Sequence, residues 1–181
     1  MRYLTILLLF SIFSVQLLAQ TAPSRSLLPT VQHHQQLYSM SCIPSSVEMV
    51  LKFNNKANEN FYDFQHGWKN KNTGTFGDFD GKTINGITFT QQFNLNRSAD
   101  FPIDSLFSTI DAELAADRKV IVSLVSGPGL WHIYVIDSRT AEGDYLCYSR
   151  GYGSPEVLEV RNTKRIIREM GGTDILTYRV N

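Results

Sequence analysis

The chain has 181 residues, with 17 basic and 17 acidic side chains, 43% hydrophobic residues and two cysteines. Zero formal charge without a long block of either sign argues against a nucleic-acid or anionic-membrane surface. Two cysteines are too few for a disulfide scaffold, and the length suits one domain with a real hydrophobic core rather than two.

Residues 1–19, MRYLTILLLFSIFSVQLLA, combine Arg2, an unbroken apolar run, and Leu17 and Ala19 at the minus-three and minus-one positions of a cleavage site. That is the pattern of a secretory signal peptide. The run lacks a basic flank to hold it in a bilayer, so the expectation is an exported chain, periplasmic or secreted, with no membrane segment after signal removal. Residues 20–35 are rich in Ser, Pro and polar side chains and read as a mobile lead-in to a domain over 36–181.

From Ser41 the pattern changes. Ile43, Val47, Val50 and Leu51 recur at helical spacing, Ser41 suits an N-cap, and Pro44 is tolerated in a first turn, so Cys42 stands at a helix N-terminus. The stretch 54–86 is polar, aromatic and glycine-rich, and a long irregular segment of this kind reads as a cleft rim, together with the turn Gly127-Pro128-Gly129. Asp78 and Asp80 within it leave the other positions of a calcium loop unfilled, which favours a plain polar turn. A second helix is predicted at 104–116, where Leu106, Ile110 and Leu114 repeat after an Asp cap. Strands follow at 120–126, 131–137, 144–149, 157–160 and 175–180, each bounded by Gly, Pro or charged turns. Helices first and strands afterwards indicate an α+β domain with a segregated antiparallel sheet.

A thiol is a strong nucleophile only as thiolate, and a helix N-terminus together with a nearby imidazolium lowers its pKa. Cys42 has the helix; the imidazole must come from elsewhere in the chain. His33, His34 and His66 lie in polar segments and read as solvated. His132 opens a strand after a glycine turn, a rigid place from which to aim a side chain. Cys147 falls on the strand expected beside that of His132, where it is a plain buried thiol, a reactive neighbour of the site, or a partner for Cys42 in a disulfide. Neither zinc-ligand spacing nor a phosphate-binding glycine loop is present, so no metal and no cofactor is expected.

Gln36, Cys42, Pro44 and Ser45 at the head of a helix, followed by an aliphatic strand, a glycine turn and the strand WHIYVID, resemble the papain-like cysteine peptidases of the bacteriocin-processing, double-glycine leader type. The resemblance spans about Gln36 to Val180. It implies Cys42 as nucleophile, His132 as general base and acid, and Gln36 as a side-chain donor to the oxyanion hole beside the Cys42 N–H. Ser41 and Ile43 depart from the residues common around that nucleophile. Where the family carries a carboxylate, or its relatives an Asn, to hold the imidazole, this chain has Ser149. Asp137 is near in sequence, but five positions along the same strand should turn it away from His132.

The reading is an exported thiol hydrolase acting on peptide or isopeptide bonds of a peptide or protein substrate. Two alternatives stand beside it: a papain-like peptide-binding domain without activity, and a transglutaminase-like acyl transferase using the same Cys–His geometry.

Overall fold

A computed structural model describes residues 24–127 and 129–181; the expected signal peptide lies outside them. Five helices and seven strands follow in the order α1 (Leu28–Gln32), α2 (Cys42–Phe53), α3 (Asp63–Trp68), β1 (Thr83–Ile84), β2 (Ile87–Gln92), α4 (Ile103–Ala115), β3 (Val120–Gly127), β4 (Leu130–Arg139), β5 (Tyr145–Arg150), β6 (Val157–Val160), α5 (Thr163–Glu169) and β7 (Ile175–Val180). The strands form one sheet in the order β1-β2-β7-β3-β4-β5-β6, every pairing antiparallel. The domain is α+β.

Strand alternation divides the core in two. On β4, Ile133 and Val135 join the cluster built on α1 and α2, with Val47, Val50 and Leu51. Tyr134 and Ile136 join the cluster of the opposite face, with Leu106, Phe107 and Ile110 of α4 and Ile167 of α5. The helices therefore cover both faces. No helix among the described residues is long and apolar enough to cross a membrane.

The lead-in expected over 20–35 is corrected from Ser24 onward. Leu27, Val31 and His34 are fully buried, and α1 packs against the core. Asp137 anchors the segment: its carboxylate accepts from the Leu27 N–H at 2.7 Å and pairs with the buried Lys119 at 2.9 Å. A serine- and proline-rich composition hid two apolar side chains at helical spacing, four residues apart.

Strand β1 and the hairpin loop fall at the end of the stretch read as irregular, and β2 follows it directly. The two-residue loop is Asn85-Gly86, both at positive φ (50° and 78°), the pairing that the right-handed strand twist favours.

Candidate active site

Helix α2 lies between the sheet and α3, so it is buried on nearly all sides, with Cys42 and Lys52 only half-buried. Its polar residues must then find partners inside the protein. Glu48 accepts the Phe64 and Gln65 N–H groups at 3.0 Å each, filling the role of an N-terminal cap for α3. Ser45 Oγ meets His34 Nε2 at 3.0 Å, while Lys52 Nζ donates to His34 Nδ1 at 3.0 Å. His34, expected in solvent, is thus a core residue, and burial with the Lys52 and Arg150 charges holds its pKa down at about 3. Burial raises Glu48 to about 7 and lowers Lys52 to about 8.

Gln65 joins this network to the entry of α2. Fully buried, it accepts from the Leu37 N–H at 2.7 Å, lies 2.7 Å from Ser41 Oγ, and donates to the Gln35 carbonyl and Glu48 at 2.9 and 2.8 Å. Loop 35–41 is held on both sides of Gln36. Ser41 occupies the N-cap position but turns its hydroxyl to Gln65 and the Tyr38 carbonyl instead of capping α2.

The Cys42 sulfur is reached by the N–H groups of Ile43, Cys42 and Ile133, which favour thiolate, but burial outweighs them and pushes the thiol pKa up. One of those donors belongs to the residue after His132, so the sulfur lies against the backbone of β4. His132 itself stands on the other face of the strand, its ring edge-on to Tyr134 at 5.1 Å. The backbone pairing of β4 with β5 runs from Arg139 only to Val135, and beyond it the Ile133 carbonyl accepts from Ser149 Oγ at 2.6 Å. Among the described residues no hydrogen bond joins Cys42 to His132.

Ser149 sets the state of the imidazole. Its only hydroxyl proton goes to the Ile133 carbonyl, so at 2.9 Å its oxygen must accept from His132 Nε2–H. The tautomer is Nε2–H, and Nδ1 keeps its lone pair. Burial lowers the His132 pKa, the Arg150 carbonyl opposing it, so the ring is neutral near pH 7. Asp137 faces away, engaged with Leu27 and Lys119.

Gln36 lies on the segment entering the helix and is nearly buried. Its Nε2 donates to the Tyr38 and Ser39 carbonyls at 2.9 and 3.1 Å, which uses both amide protons, and its Oε1 has no partner among the described residues. Its backbone bridges to Tyr152, just past β5.

Cys42 and Ile133 open onto a cleft of about 510 Å³. Residues 72–76 and the pair Gly129 and Leu130 contribute to its lining, as the irregular stretch and glycine turn suggested. Trp131 is a wall of the cleft rather than a core aromatic, at 42% exposure. Arg97 and Asp174 also line it, and the sequence offered no sign of either: one sits in a loop before α4, the other ahead of the last strand.

The two cysteines are free. Cys147 is buried on the far face, its sulfur 3.2 Å from Thr163 Oγ1 and its pKa pushed up to about 12 by burial, so it is an inert core thiol. The GDFDG carboxylates are structural: Asp78 accepts from the Thr75 N–H at 2.9 Å and Asp80 from the Gln91 N–H at 2.8 Å. No protein-family model matches the chain, and no curated protein matches it in sequence.

Proposed function

We propose that the domain is a papain-like thiol hydrolase, exported by its N-terminal signal, that cleaves peptide or isopeptide bonds. The observation that carries the reading is the His132–Ser149–Ile133 chain: an imidazole held in one tautomer, one residue from an N–H near enough to the Cys42 sulfur to favour its thiolate. A general base needs a neutral imidazole with a nitrogen able to accept a proton, and this arrangement is compatible with that.

Both reactive groups rest neutral. Substrate carbonyl binding at the N-terminus of α2 then precedes proton transfer from Cys42 to His132 Nδ1, which crosses the end of the sheet where β4 and β5 have parted. Attack forms the S–C bond, the Cys42 and Ile43 N–H groups stabilise the oxyanion, and the proton passes from His132 to the leaving amine. Water then hydrolyses the thioester. Gln36 adds a side-chain donor only when one of its two carbonyl partners is released as substrate arrives.

The test is labelling by a peptidyl acyloxymethyl ketone, read by mass spectrometry, together with hydrolysis of fluorogenic peptides. Cys42→Ala abolishes both, and His132→Ala lowers them about 100-fold. Equal labelling of wild type and His132→Ala would remove the dyad. A second reading is favoured by the missing Cys42–His132 hydrogen bond: a peptide-binding domain of the same architecture, which binds peptides in the cleft and turns over none. An added amine that captures the acyl group would instead identify the acyl transferase.

A further inference from the structure

The cleft holds a cation that the proposed chemistry does not use. Arg97 stands in the loop between β2 and α4, its guanidinium 3.5 Å from the centroid of the Trp131 ring. Its Nε donates to the Gly172 carbonyl at 3.1 Å. Gly172 is itself pinned, at φ 113° and so close to Phe101 that an added Cβ would fall 2.2 Å from the ring. The guanidinium is therefore positioned from two sides before any ligand arrives.

Its two terminal amino groups make no hydrogen bond or ion pair among the described residues. Asp174, the carboxylate in the same wall, is occupied by Gln91 Nε2 at 3.0 Å, and no ion pair joins it to Arg97. Burial raises the Asp174 carboxyl pKa, and the nearby Arg97 charge opposes that shift without forming an ion pair. Met40, Phe76, Leu130 and Ile133 supply apolar walls of the same cleft that Arg97 and Cys42 line. An apolar cleft with a planar fork in its wall, both amino groups free, is matched by a carboxylate, which the fork binds bidentately.

The geometry points to a peptide whose apolar residue fills the cleft and whose neighbouring carboxylate, of an acidic side chain or of the chain terminus, is clamped by Arg97. This assignment rests on the hydrolase reading for the meaning of the site as a substrate cleft, though not for the binding itself.

The probes are three peptides: acetyl-Leu-Glu-amide, with a side-chain carboxylate; acetyl-Leu-Gln acid, with a terminal one; and acetyl-Leu-Gln-amide, with none. Binding is measured by NMR titration of Cys42→Ala protein, which has no nucleophile. At least one carboxylate peptide should bind about tenfold or more tightly than the neutral one, and whichever does identifies the source of the carboxylate. The preference should collapse in Arg97→Gln and fall partway in Arg97→Lys, which keeps the charge and loses the fork. Equal binding of all three, binding of none, or a preference that survives Arg97→Gln overturns the assignment. Wild-type protein treated with a peptidyl acyloxymethyl ketone, its Cys42 alkylation read by mass spectrometry, separates the two claims. Carboxylate preference without Cys42 alkylation sinks the hydrolase reading alone; alkylation without preference sinks the Arg97 assignment alone.

Discussion

Replacing Ser149 by Ala removes both contacts that define the His132 imidazole. The lost Oγ···Nε2 interaction is a neutral hydrogen bond at 2.9 Å, worth about 1 kcal/mol, or about fivefold in an equilibrium constant. Without it the Nδ1–H tautomer becomes populated, which leaves Nδ1 with no lone pair to accept a proton. Alkylation of Cys42 by iodoacetamide should then slow about fivefold near neutral pH. Because burial lowers the His132 pKa and raises that of Cys42, the wild-type rate should climb as pH rises past the ordinary thiol range, without a thiolate–imidazolium plateau below it. The assay is the rate from about pH 5 to 9, followed by mass spectrometry; Cys147 is buried and does not compete. The same change strands the Ile133 carbonyl, which loses its 2.6 Å donor, so stability falls by about 1–3 kcal/mol and rates must be taken well below the melting transition. Identical profiles for wild type, Ser149→Ala and His132→Ala would refute the argument, since the ring would then have no part in the reactivity of the sulfur.

Asp137→Ala should destabilise by about 3–5 kcal/mol in urea unfolding, because it leaves Lys119 charged and unpaired in the interior; the folded protein should alkylate at the wild-type rate, and a collapse in reactivity would make Asp137 the orienting group. Leu27→Ala should cost about 2–5 kcal/mol by the same measurement, as expected of a fully buried leucine and not of a mobile tail. Two buried groups set opposing pH dependences. His34, lowered from 6.5 to about 3, binds fewer protons folded than unfolded, so it makes stability fall as pH drops through that window. Glu48, raised from 4.5 to about 7, does the reverse, its contribution being present at low pH and lost as pH rises toward 7. Glu48→Gln should therefore steepen the acid loss between about pH 6.5 and 4.5; unfolding curves across that range with an unchanged slope would contradict the account.

The long periodic elements were legible in the chain. Leu106, Ile110 and Leu114 repeat on one face over about two turns, and the five C-terminal strands stand between clear turn signals, so their observed bounds differ from expectation by only a residue or two. Helices α1, α3 and α5 have seven residues or fewer, too short for a hydrophobic period to establish itself. Strand β2, Ile87–Gln92, was hidden by the polar sequence around it, although Asn85-Gly86 marks its hairpin. For the site, Cys42 at a helix start and Asp137 turned away followed from local rules, and Ser149 beside the imidazole from the family resemblance. Polar groups satisfied by distant partners did not: His34 needs Ser45 and Lys52 to be buried, and Gln36 spends its amide on carbonyls that no spacing rule identifies.

The Ile133 amide has an unusual position for a strand residue. Its N–H lies near enough to the sulfur of Cys42 to favour the thiolate, so its resonance frequency responds to the charge on that atom. Thiol, thiolate and thioester present different charge and polarisability to it. One backbone peak in a nitrogen–proton correlation spectrum is thus a built-in reporter of ionisation and acylation, readable without any dye, substrate or label attached to the cleft.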